Sequence, residues 1–156
     1  MTVAFLGHRN VFEPICELLK RTLVELIEGE GGDCFLVGNE GGFDRLVLAA
    51  LRELSSIYPH IQYSVVLSRM PSAAQQEYFR PFETLYPEAA ATAPPRFAID
   101  RRNRWMVEQC DLAITYVTTS YGGAAKAKAF AVKRGKRIVE LSRPWQGTDR
   151  SVLPKP

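Results

Sequence analysis

The sequence has 156 residues, of which 46% are hydrophobic and 24% charged, with 20 Lys and Arg against 17 Asp and Glu. A chain of that length can bury roughly 70% of its unfolded surface as one domain without staples, and the composition excludes disordered, fibrous and membrane-spanning classes. The net charge of +3 is too small to imply a nucleic-acid partner, but it is unevenly spread: residues 1–95 hold 7 basic and 12 acidic residues, and 96–156 hold 13 and 5. An anionic partner is therefore sought first in the last two fifths.

Residues 2–6 are a short apolar run stopped by Gly7, the pattern of a buried strand. Over 12–28, Ile15, Leu18, Leu19, Leu23, Leu26 and Ile27 mark one helical face, with Pro14 suited to the first turn and Gly29 to Gly32 ending it. A second strand is read at 34–37, stopped by Gly38. Phe43, Leu46, Val47, Ala50, Leu51 and Leu54 then follow helical spacing. A third strand is read at 61–67.

Residues 69–97 break this rhythm with five of the ten prolines and read as a lid-like insertion or binding loop. Asp100 is placed as the cap of a helix over 100–109. A fourth strand at 112–117, a helix at 123–134 and a fifth strand at 137–141 follow, and 143–156 reads as a tail. Strands alternating with helices predict a single α/β domain over 1–142. It is Rossmann-like and doubly wound, with a mostly parallel sheet of about five strands and helices on both faces.

Cys16, Cys34 and Cys110 are odd in number, scattered and without a CxxC pair, so they are expected as buried thiols in a reducing compartment. The apolar run 3–6 is too short for a signal peptide or a membrane span, and a soluble, cytoplasmic protein is expected.

In an open parallel sheet, ligands bind beyond the carboxyl ends of the strands. Those ends are Gly7-His8-Arg9, the stretch Gly38-Asn39-Glu40-Gly41-Gly42-Phe43-Asp44, and Thr118 to Gly123. Glycine permits close backbone approach to a ligand, and the N–H groups of the next helix attract anions. Gly122 and Gly123, with Lys126 one turn on, are candidates to hold phosphate. Neither GxGxxG nor GxxxxGK[ST] is present, which disfavours an NAD dehydrogenase or a P-loop NTPase.

His8 is read as a ligand contact or hydrogen-bond donor before a general base, and His60 as a surface turn. Asp44 either bonds ribose hydroxyls or caps its helix. Arg96, Arg101, Arg102 and Arg104 crowd one helix start, where Arg102 shares a side with Trp105 and Met106. Trp105 either stacks a base or fills the core.

These residues together resemble the SLOG superfamily, Rossmann-like proteins that include the DprA/Smf and LOG families, and within it the small YpsA-like branch of bacteria and phages. The likeness rests on Gly7-His8-Arg9, on Gly38 to Asp44, on Arg96-Phe97-Ala98-Ile99 running into Arg102-Asn103-Arg104-Trp105-Met106, and on Asp111 to Tyr116 ending near Gly122-Gly123. It covers about residues 5–140. The resemblance implies a pocket for a nucleotide-derived ligand. The LOG enzymes hydrolyse the N-glycosidic bond of nucleoside monophosphates with a PGGxGTxxE motif. Here the two central glycines match Gly122 and Gly123, while Tyr121, Ala125, Lys126 and Ala129 replace the proline, third glycine, threonine and glutamate. That reaction is disfavoured unless Glu40 or Asp44 substitutes for the lost carboxylate.

The expected function is thus binding or sensing of a nucleoside monophosphate or nucleotide sugar. The expected ligand set is Gly7, His8, Arg9, Gly38, Glu40, Gly41, Gly42, Asp44, Arg102, Gly122, Gly123 and Lys126. A nucleotide-processing enzyme of the N-glycosidase or ribosyl transferase kind is one alternative, and a DprA-like nucleic-acid-binding protein is another. No cofactor, metal or membrane is expected, no residue is assigned a catalytic role, and a homo-oligomer is anticipated.

Overall fold

The computed structural model describes residues 1–142, so the tail expected over 143–156 lies outside the described residues. Strands β1 (Thr2–Gly7), β2 (Cys34–Gly38), β3 (Gln62–Val66), β4 (Glu83–Leu85), β5 (Leu112–Tyr116) and β6 (Arg137–Glu140) form one sheet in the order β4-β3-β2-β1-β5-β6. Every pairing is parallel. The chain winds outward from β1 to β4, then returns to place β5 on the other side of β1. The strand order therefore reverses beside β1, where helix starts diverge and leave a crevice at the carboxyl ends.

Period-2 side-chain alternation divides the core into two layers. Val3 and Phe5 of β1 and Phe35 and Val37 of β2 meet the apolar faces of α1 (Cys16–Gly29) and α2 (Gly42–Ile57). Ala4, Leu6 and Leu36 meet α5 (Ala98–Gln109) and α6 (Gly123–Lys133) through Met106, Val107, Ala127 and Ala131. Small side chains in the second layer let those helices sit close to the sheet. Each large apolar side chain fully enclosed here, such as Leu23 or Leu51, contributes roughly 1.5–3 kcal/mol.

Four local expectations differ from the structure. The sheet has six strands, because residues 69–97 continue the winding: α3 (Ala73–Phe79), β4 and the short α4 (Glu88–Ala91) lie within them. α3 starts on a capping box in which the Ser72 hydroxyl accepts from the Gln75 N–H and the Gln75 side chain accepts from the Ser72 N–H. Helix α1 begins at Cys16, so Pro14 precedes it and Phe12 is left in the β1–α1 loop. Asp100 is in the first turn of α5 instead of capping it, because a 3₁₀ turn over Pro95–Phe97 starts the helix two residues earlier. Of the cysteines only Cys110 is buried; Cys16 is exposed and Cys34 partly so. Among the described residues no helix is long and apolar enough to cross a membrane.

Candidate functional site

The loops after β1 and β2 are locked together by glycine. Gly41 caps α2 with φ +90° and ψ −174°, a conformation essentially restricted to glycine. A side chain at Gly41 or Gly42 would run into the Arg9 backbone at 2.7 Å. The Gly42 N–H donates to the Arg9 carbonyl at 2.6 Å and the Phe43 N–H to that of His8 at 3.4 Å, which satisfies the start of α2. Gly7 is needed for a different reason, since a Cβ there would strike the Phe43 ring.

Beside these loops lies a cleft of about 290 Å³ at the carboxyl edge of β1, β2 and β5. That is near the small end of the roughly 300–1,000 Å³ typical of ligand pockets. Of the expected ligand set, Gly7, His8, Arg9, Gly38, Glu40, Asp44, Arg102 and Gly123 line it, together with Ile99 and Asn103. Gly41 and Gly42 shape it through Arg9, and Gly122 sets the entry to α6. Lys126 is not in the lining: its ammonium pairs with Asp100 at 3.3 Å, outside the cleft. Trp105 is also absent from the lining and packs, partly buried, on the second core layer.

Arg102 is the centre of the site. It is only 3% exposed, on the sheet-facing side of α5 with Met106. Its Nη1 donates to Asn39 Oδ1 at 2.7 Å and to the Val66 carbonyl at 3.1 Å, and its Nε donates to Asn103 Oδ1 at 2.9 Å. Its Nη2 has no protein acceptor among the described residues and is not enclosed by protein, so it is free toward the cleft. Burial alone pulls the guanidinium pKa down, against the charges of Asp44 and Glu40. Gly38 makes this approach possible, because a Cβ there would lie 2.7 Å from Asp44 Oδ2 and 2.8 Å from Arg102 Nη1.

Asp44 is 6% exposed. Burial pushes its carboxyl up to about 6, opposed by Arg102 and by the Glu40 N–H, which donates to Oδ2 at 3.0 Å. Asp44 thus secures the start of α2 through the Glu40 N–H and also lines the cleft. Glu40 accepts from Ser68 Oγ at 3.3 Å and lies 3.5 Å from Arg69 and 3.9 Å from Arg9, both exposed arginines. His8 Nε2 accepts from the Thr118 N–H at 2.8 Å, which leaves the proton of the neutral ring on Nδ1 as a donor.

Helix α6 begins at Gly122 with φ +93° and ψ 174°, nearly the geometry of Gly41. Unlike α2, its first N–H groups have no protein acceptors among the described residues, and Gly123 and Ala124 line the cleft. This end attracts an anion by roughly 0.3–1 kcal/mol. Ala129, at the place of the LOG glutamate, lines a shallow depression with Lys128 and Val132 outside the cleft. Among the described residues no group of three or more His, Cys, Asp or Glu side chains is arranged to hold a metal ion.

Three residues at this edge stand outside the expected ligand set. Asn39 joins the ends of β2 and β3 by accepting from the Ser68 N–H at 3.2 Å. Phe12 and Tyr121, 88% and 75% exposed, stand on the loops after β1 and β5, neighbouring strands in the sheet.

No protein-family profile and no curated protein matches this sequence. Two solved structures are similar in fold. DNA processing protein A from Streptococcus pneumoniae is 17% identical, with a TM-score of 0.65 over 95% of this chain and 52% of that one. DNA processing protein A from Helicobacter pylori, described as having a unique single-stranded DNA binding mode, is 15% identical, with a TM-score of 0.67 over 97% of this chain and 69% of that one. This chain thus spans about half the length of the first and some two thirds of the second. Its fold is the Rossmann-like fold seen in these DNA processing proteins.

Proposed function

We propose that this chain binds single-stranded nucleic acid along the carboxyl edge of its sheet, seating a backbone phosphate in the cleft. The observation that carries this reading is the pair of exposed aromatics, Phe12 and Tyr121, on the loops flanking a cleft with an unfilled arginine donor. Exposed rings stack bases of any sequence, at about 1–3 kcal/mol per base, while basic groups track the backbone. Arg102 Nη2, the open start of α6 and the exposed Arg9 supply those contacts. The single-stranded DNA binding described for the H. pylori protein of similar fold supports the same choice.

The test is fluorescence anisotropy of a labelled oligothymidylate at several salt concentrations. Affinity is expected to fall with rising salt, as counterion release requires. Arg102→Leu is expected to weaken binding by about ten- to a hundredfold, the worth of a charged hydrogen bond, and Phe12→Ala by fivefold or more. A second reading, a nucleotide-derived small ligand, is favoured by the enclosure and size of the cleft. It wins if a nucleoside monophosphate binds as tightly as the strand and Phe12→Ala changes nothing.

A further inference from the structure

A second cavity, of about 180 Å³, lies on the other side of the β2–α2 loop, between α2 and α3. Gly38 and Asp44 belong to the walls of both spaces, so the cleft and this cavity are neighbours with a common partition. Its apolar side is formed by Leu48 and Phe79, both buried, and by Tyr78, over whose ring Arg45 sits at 5.3 Å.

Two polar groups face this apolar wall. Asn39 is nine-tenths buried and lines this cavity but not the cleft. Its Oδ1 is taken three times, by the Ser68 N–H, the Ser68 hydroxyl and Arg102 Nη1, which fixes the orientation of the amide. The Nδ2 hydrogens are left over: they have no protein acceptor among the described residues and are not enclosed by protein. Asp44 gives Oδ2 to the Glu40 N–H and keeps Oδ1 without a protein donor. The cavity is thus lined by apolar surface together with the Asn39 amide, which has donors to spare, and the Asp44 carboxylate it shares with the cleft.

That set matches the edge of a nucleobase, which presents a donor and an acceptor side by side on a planar ring. The volume suits one heterocycle and not a drug-sized molecule. We infer that this cavity is a base-binding subsite, taking the nucleobase of the nucleotide whose phosphate sits in the adjoining cleft. The inference rests on the proposed nucleotide binding and adds where a base goes and what holds it. Asn39 and Arg102 are tied to each other, so the two subsites form as one unit.

The test crosses two proteins with two strands. Ala74 lies on α3, exposed, and lines the cavity but not the cleft, so Ala74→Trp is expected to fill the cavity from its surface side. Wild type and Ala74→Trp are titrated with an oligothymidylate and with an abasic strand of equal length. Ala74→Trp is expected to weaken the base-bearing strand about tenfold and to leave the abasic strand unchanged. Equal effects on both strands, or none on either, overturn the subsite while the strand-binding reading stands. If the wild type binds neither strand, that reading fails, and thymidine and adenosine monophosphates are titrated against the Ala74 methyl and Asn39 side-chain amide signals in NMR spectra. Saturable shifts at both groups then support the subsite, and unmoved signals overturn it.

Discussion

Asp44 and Glu140 are carboxylates at the same edge of the sheet, 6% and 8% exposed, yet burial has opposite outcomes for them. Burial raises the pKa of both. At Glu140 this is outweighed by Lys128 Nζ at 2.8 Å, the Thr115 hydroxyl at 2.6 Å and the N–H groups of Val117 and Ser142 at 3.0 and 2.9 Å, so its pKa falls below the ordinary value. Asp44 has the single Glu40 N–H and an Arg102 that faces it without an ion-pair contact, and its pKa rises to about 6. The number of donors, set against the burial each must offset, decides which buried charge is at rest. The saturated carboxylate holds β5 to β6, whereas the unsaturated one borders two cavities.

The comparison breaks most visibly at Glu140. Replacing it by alanine strands Lys128 and two N–H groups and is expected to cost about 3 kcal/mol in urea unfolding, with strand affinity unchanged. Asp44→Asn is expected to act the other way. A carboxyl raised from 3.8 to about 6 on folding stabilises the fold fully below its unfolded value and loses that contribution as pH rises through 6. At pH 7 the ionised Asp44 is therefore a burden, and Asn, which still accepts from Glu40, is expected to gain about 1–3 kcal/mol. The gain should vanish below pH 4, which stability curves of both proteins measured across that window would show. For Glu140 the window is reversed: its contribution is present above the ordinary glutamate value and is lost as pH falls through its lowered one. The smallest effect is expected from Lys128→Met, about 0.5–1 kcal/mol by thermal melting, because the partly exposed ammonium is one donor of four.

The helical faces of α1 and α2 and the buried strands were legible because apolar spacing records them directly. Strand β4 was not: its three residues, Glu83, Thr84 and Leu85, sit at the sheet edge and carry no apolar run. The Ser72–Gln75 capping box was a readable start signal hidden among prolines. Arg102 was placed on the correct side of α5 by helical phase alone. Lys126 was not separable from the ligand set, because its partner Asp100 comes from a different helix, far off in sequence. Asn39 escaped notice for the same kind of reason, since its amide acts between strand ends that only the fold brings together.

The glycines of the two helix entries bear on how such a chain can be altered. At the first, Gly41 and Gly42 press on the Arg9 backbone, so neither accepts a side chain without the loop after β1 moving. At the second, nothing lies within 4 Å of a side chain added at Gly122 or Gly123. Gly122 is constrained by its own torsion alone, while Gly123 is free to accept a reporter group or a new specificity. One wall of the cleft is therefore sterically fixed, and the opposite wall is where a new side chain has room.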